Sequence, residues 1–237
     1  MNLRNLLFLD IETVSGEKNY ADLSPRFQEL WKHKHSQLNT DSAISIESSY
    51  FDRAAIYAEF GKIICIGLGF VMYNEDNELC IKIKVIADKD EKVVLNEFRH
   101  ILVEKFKGKT PYLCAHNGKE FDFPYICRRM LINQISIPEV LNIQDKKPWE
   151  VKHYDTLELW KFGDRKAYTS LELLAAVFDI ETSKSDLDGS KVNEFYYLKN
   201  KLVQIALYCG KDVAVLVQVF LAIHHINKVK NDNIVFL

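Results

Sequence analysis

The run LLFLDI at residues 6–11 constrains this chain more than any other feature. It is apolar at nearly every position and too short for a helix, so it reads as a strand buried on both faces. Such a strand survives only inside a sheet that helices cover on both sides. The rest of the chain supplies the partners. Residues 62–72 and 80–87 read as strands joined by a turn at 73–77, and residues 111–115 as another short strand. Residues 93–106 repeat apolar side chains at helical spacing (Val94, Phe98, Ile101, Leu102, Phe106), with an end expected near Gly108. Further helices are expected over 123–133, 170–178 and 202–226, and the stretch 138–153 reads as loop. Strands alternating with helices predict an α/β domain, and the hairpin makes its sheet mixed rather than purely parallel.

Between the first two strands lies a long polar segment, residues 15–60, with two helix-like stretches. One opens with Ser24 as N-cap and Pro25 at the first helical position; the other covers about 46–60. No repeat, low-complexity tract or linker divides the 237 residues, which predicts a single domain over 1–237 with a helical insertion at about 15–60. At 48% hydrophobic and 27% charged, the chain can fill a core and carries no compositionally disordered segment. Uncharged stretches such as 63–73 fall short of the roughly 20 residues of a membrane span, so no membrane association is expected. The N-terminus lacks the basic start and cleavage site of a secretory signal, and the expectation is a cytoplasmic protein. Five cysteines, odd in number and without CxxC spacing, read as reduced core thiols rather than disulfides or zinc ligands. A net charge of −2 argues against a protein that coats duplex through many phosphate contacts. It leaves room for one that grips only a strand end through metal ions.

Three acidic motifs stand out. Asp10 and Glu12, two apart on the first strand, share a face, and two adjacent carboxylates repel unless a cation neutralises them. Asp76-Asn77-Glu78 and Asp179-Ile180-Glu181 have the same spacing but fall in a turn and just past a helix, where solvated charge needs no further account. Only Asp10 and Glu12 close a doubly buried strand, where open α/β sheets place ligands. The second motif, Asn117 to Asp122, follows another strand; Asp122 precedes a helix with Pro124 in its first turn, which by itself describes an N-cap. The third places Tyr208 and Asp212 four apart on one helical face. Asp212 adjoins the apolar run 213–216, an odd setting for a charge without a partner.

Patterns of the form DxE, NxxxxD and YxxxD in this order resemble the motifs of the DEDDy group of 3′–5′ exonucleases, and most closely the proofreading exonuclease domain of family B DNA polymerases. The phrases FLDIET, GKIICIGLGF, HNGKEFDFPYICRRM and YCGKDVAVLVQVF carry the same resemblance from Leu6 to about Leu221. Leu207 occupies the position where a second branch of the group carries histidine, which points to the tyrosine branch. The resemblance implies a ribonuclease H-like fold, a mixed sheet of about five strands with helices on both faces. It implies a metal-dependent 3′–5′ exonuclease acting on nucleic acid 3′ ends, single-stranded DNA in the first place and RNA as the alternative. The implied cofactor is two Mg²⁺ or Mn²⁺ ions. Asp10 would bridge both, Glu12 and Asp212 would hold the ion on the water side, Asp122 the ion on the leaving-group side, and Tyr208 would orient the attacking water. Thr13, Asn117 and Ser170 are the implied substrate contacts, Ser170-Leu171 resembling a serine–leucine motif of the group.

Other residues invite two readings each. Asp155 resembles a residue following the second motif in relatives and is equally placed to cap a helix. Lys161, Arg165 and Lys166 are candidates for phosphate contact, or a solvated face. His116 reads as structural, and Phe27, Trp31, Tyr50 and Phe51 as packing residues rather than a base-stacking lid. Two rivals to a DNA exonuclease remain: an exoribonuclease with the same metal site, and a binding module that has lost catalysis. Five retained motif residues weigh against the second. The long 15–60 segment departs from the family pattern.

Overall fold

The run at residues 6–11 becomes the middle of the sheet. A computed structural model describes residues 2–38, 44–106, 111–164, 168–182 and 187–237. Its strands are β1 (Leu6–Ser15), β2 (Gly61–Tyr73), β3 (Leu79–Ala87), β4 (Tyr112–Ala115), β5 (Tyr154–Asp155) and β6 (Ile234–Phe236). They form one mixed sheet in the order β5-β4-β1-β2-β3-β6. β1–β2 and β2–β3 pair antiparallel, the other neighbours parallel. The helices are α1 (Pro25–Gln37), α2 (Ile46–Arg53), α3 (Glu91–His100), α4 (Asp122–Ile132), α5 (Thr156–Lys161), α6 (Leu171–Val177), α7 (Val192–Tyr197) and α8 (Leu202–Ile223).

Alternation along β1 sorts its side chains to two cores. Leu7, Leu9 and Ile11 pack with Val94 and Phe98 of α3 and Phe123, Ile126 and Met130 of α4. Leu6 and Phe8 pack on the other face with Val213, Leu216, Val217 and Phe220 of α8. Helices therefore cover both faces, as a doubly buried strand requires. α8 is long and apolar enough to cross a membrane, but most of that apolar length is buried in the fold. It lies close to the sheet because β2 offers glycines there: a Cβ on Gly67 would stand 2.8 Å from Val213 Cγ2, and one on Gly69 2.7 Å from Val213 Cγ1.

Several boundaries move from their sequence-based positions. β1 runs on to Ser15, so Asp10 and Glu12 lie within the strand rather than at its end. α3 passes after His100 into a π-helical turn, Ile101–Lys105, and the expected end near Gly108 lies outside the described residues. α8 stops at Ile223, before the expected 226. β5, β6, α5 and α7 are two to six residues long, too short to show a period, and β6 adds a sixth strand to the expected five or so.

The 15–60 segment builds α1, α2 and a small aromatic core of its own, in which Trp31 and Tyr50 are fully buried. Trp31 meets Tyr50 and Phe60 edge-on, at 5.3 and 5.0 Å between ring centres. Phe27 packs against Phe60, so the packing reading holds for Phe27, Trp31 and Tyr50, while Phe51 uses its backbone carbonyl to accept from Asn193 Nδ2. The segment is tied to the sheet layer at Ala55 and Ala58: the Ala55 carbonyl accepts from Tyr125 Oη at 2.8 Å, and the Ala58 carbonyl from Arg129 Nη1 at 2.7 Å. All five cysteines are free thiols.

Candidate active site

The site lies where β4 stops and β1 continues. β4 pairs with β1 only along Leu6–Phe8 and ends at Ala115, which leaves the next stretch of that β1 edge without a strand. α4 begins there, and the Asp122 carboxylate accepts from the backbone N–H of Ile11 and from its own. Phe121 is the N-cap of α4 and Asp122 its first residue, so capping does not explain the acid. Its role is to close the exposed edge of β1.

Asp10 and Glu12 follow Phe8 on the face of β1 that α8 covers. Asp10 is paired with Gly67 and Glu12 with Cys65, and a bulge follows between Glu12 and Thr13. Absent side chain at Gly67 admits Cys209 of α8, whose Sγ stands 2.9 Å from where that Cβ would be. The Cys209 thiol donates weakly to Asp10 Oδ2 at 3.6 Å. Ligand atoms of Asp10, Glu12 and Cys209 all lie within 4.8 Å of one another. Tyr208 precedes Cys209 and Asp212 follows it by three residues, and the Tyr208 hydroxyl donates to Asp212. Beyond the bulge, the strand end is held by α7: Asn193 Oδ1 accepts from Ser15 N at 2.9 Å, and Tyr197 Oη donates to the Ser15 carbonyl at 2.7 Å.

Asp122 of α4 and Asp212 of α8 act on the charges of the adjacent Asp10 and Glu12, and no lysine or arginine among the described residues offsets them there. Burial pushes Asp10 and Glu12 well above the usual carboxylate range, and every charge that adds to their shift is another acid of the cluster or a thiol. Burial raises Asp122 to about 7, with the Asp155 charge adding to it. Asp212 is raised to about 6 by burial, against the hydrogen bond from Tyr208. Burial and then the Asp212 and Glu12 charges hold the Tyr208 phenol far above its ordinary value, so it is a hydrogen-bond donor and not a base. Hard oxygen donors that repel one another are the donor set for a hard divalent cation. The residues present fit such ions.

The remaining sequence-predicted residues divide by what they touch. Thr13 Oγ1 donates to the Ala55 carbonyl at 3.0 Å, so its hydroxyl anchors the 15–60 segment. Ser170 caps α6, its Oγ accepting from Leu173 N at 3.2 Å, and it lines a cleft of about 560 Å³ with Tyr208 and Asp212. Asn117 adopts a left-handed backbone (φ 60°), which asparagine tolerates, and forms the turn after β4. Asp155, buried, caps α5 and clamps that turn: Oδ1 accepts from Asn117 N at 2.9 Å and Leu157 N at 2.9 Å, and Oδ2 from Lys119 N at 3.0 Å. His116 is structural, bonded to Thr156 Oγ1 at 2.9 Å and the Thr169 carbonyl at 2.8 Å. Lys161 is half-buried at the end of α5; Arg165 and Lys166 lie outside the described residues. Sequence reasoning missed Cys209, because nothing in the spacing marks a core thiol as the neighbour of Asp10.

A mixed α/β sheet that gathers acids from β1, α4 and α8 defines a domain of the polymerase-exonuclease type. The chain belongs to a family described as predicted 3′–5′ exonucleases related to the exonuclease domain of PolB, whose model matches residues 56–233. That span contains Asp122, Tyr208 and Asp212, while Asp10 and Glu12 precede it. The fold is similar to that of the family B DNA polymerase from the hyperthermophilic archaeon Pyrobaculum calidifontis, with a TM-score of 0.53 at 15% identity. The likeness covers 92% of this chain and 24% of the polymerase, so the chain spans about a quarter of that protein's length. Among individually curated proteins, none matches the sequence.

Proposed function

We propose that the protein is a divalent-metal-dependent 3′–5′ exonuclease that removes nucleotides from the 3′ ends of single-stranded DNA. The observation that carries this reading is the pair Asp10 and Glu12 with the charges of Asp122 and Asp212 bearing on it, beside a tyrosine that donates to Asp212. Asp10, Glu12, Asp122 and Asp212 would hold the ions, Mg²⁺ or Mn²⁺, through their carboxylate oxygens. When bound, the ions neutralise charge at the scissile phosphate and acidify water at neutral pH.

The chain's own groups do the rest. Hydrolysis joins a water oxygen to phosphorus and breaks the bond to the 3′ oxygen of the preceding nucleotide, on which a proton ends. Tyr208 keeps its proton throughout the working pH range, so its part is to donate a hydrogen bond and hold Asp212 and the water in place. Asp122 keeps the edge of β1 closed, and the Asp155 clamp holds the turn that leads from β4 towards α4. Fixing both acids before substrate arrives lowers the reorganisation required in the reaction. DNA rather than RNA is supported by the family's kinship with a DNA polymerase domain.

The test is cleavage of 5′-labelled single-stranded DNA and matched RNA with Mg²⁺, Mn²⁺ or EDTA, beside an Asp10→Ala control. The expected result is a metal-dependent ladder shortening from the 3′ end, faster on DNA and absent in the control. A ladder unaffected by Asp10→Ala, or none with either metal, overturns the reading; faster cleavage of RNA overturns the choice of DNA.

A further inference from the structure

The cleft beside the acids contains one aromatic side chain that the fold does not use. Tyr168 lines it together with Ser170, Glu172, Asp188, Tyr208 and Asp212, yet remains 67% exposed. Single exposed aromatics are common on surfaces and need no account by themselves. Tyr168 differs in how it is held. Its ring stands edge-on to His116, with centres 6.3 Å apart and planes at 71°. Both nitrogens of that imidazole are engaged, one by Thr156 Oγ1 and the other by the carbonyl of Thr169, the residue after Tyr168. Ser170 then caps α6. The supporting ring and the adjoining backbone are therefore both fixed, while the Tyr168 ring stays largely exposed at the cleft.

We infer that Tyr168 is a substrate-binding residue that stacks on a nucleobase at the 3′ end of the strand. Every base has an aromatic face, so a stacked tyrosine grips any sequence, and a net charge of −2 offers no general electrostatic attraction to replace that grip. The inference rests on the exonuclease reading for its substrate, but its contact is with the base and not with the reacting phosphate.

Equilibrium binding separates the two. Short single-stranded DNA ending in an ordinary nucleotide or in an abasic one is titrated against the wild type, Tyr168→Phe and Tyr168→Ala, with Ca²⁺ in place of Mg²⁺. Wild type and Tyr168→Phe should bind the base-bearing end about 10-fold more tightly than the abasic end, within the range typical of base–aromatic stacking. Tyr168→Ala should bind both ends alike. If the alanine variant keeps the wild-type ratio, or if the wild type shows no ratio or no binding, the inference is wrong. Mn²⁺-dependent cleavage of the same oligonucleotides by the wild type judges the exonuclease reading separately. A base-dependent binding ratio without cleavage would remove that reading while leaving the stacking contact in place.

Discussion

Replacing Asp122 with asparagine should make the metal-free protein more stable, and the gain should depend on pH. Asp122 is 4% exposed and its carboxyl is raised to about 7 from an ordinary 3.8. Between those values the folded protein keeps a proton that the unfolded chain has released, so stability falls as pH rises through the window and is flat above it. At about pH 8 the ionised carboxylate costs the fold about 4 kcal/mol, of which about 3 kcal/mol develops above pH 5. Asparagine has the same shape, carries no charge, and its Oδ1 can still accept from Ile11 N–H. The variant's advantage in EDTA should therefore be larger at about pH 8 than at pH 5 by about 3 kcal/mol. For a chain of this size that is roughly 6–12 °C in Tm. Thermal or urea denaturation at both pH values measures it. Adding Mn²⁺ at pH 8 should narrow or reverse the difference, because the wild type keeps the anionic oxygen that favours the ion. A variant less stable than wild type at pH 8 in EDTA would refute the reasoning, as would a gain of equal size at both pH values.

Asp10→Ala should abolish metal-dependent cleavage without lowering apo Tm, because it removes a buried charge from among like charges; a lower Tm would count against the site. Tyr208→Phe removes the donor that holds Asp212 down to about 6, so in EDTA the Asp212 carboxyl should titrate at higher pH by NMR; an unmoved titration would mean the hydroxyl acts elsewhere. Gly67→Ala sets a methyl 2.8 Å from Val213 and 3.2 Å from the Cys209 carbonyl, so α8 must shift, at about 1–3 kcal/mol and with loss of cleavage. Wild-type stability and activity in that variant would show that close approach of α8 is not what assembles the site. Glu91→Leu breaks a buried network in which Glu91 accepts from Ile63 N, Arg129 and Asn133, leaving the guanidinium without its carboxylate; about 3–5 kcal/mol should be lost in urea denaturation.

How much of this could be read from the residues depends on how local each cause is. The 6–11 run carried its consequence in itself: an apolar strand without alternation needs helices on both faces, and α3, α4 and α8 supply them. The side-chain period of two also put Asp10 and Glu12 on one face before any coordinates were known. The starts of the longer helices, such as α1 with Ser24 and Pro25, were legible to within a residue or two. β5 and β6 were not, because two or three residues carry no period and pair only where β4 and β3 have already formed an edge.

At the site, the sequence determined which side chains were available, their order, and the repulsion that any cluster of them must contain. Tertiary structure decided that they cluster at all. It did so through the end of β4, which leaves the Ile11 amide for Asp122, and through Gly67, which lets Cys209 and the rest of α8 approach β1. Asp122 could not be told from a helix cap by its neighbours in sequence, since both roles suit an acid at the start of a helix. Only the position of another strand's edge separates them. Tyr168 was equally silent, because exposure beside a cleft is a property of the whole fold rather than of any local pattern.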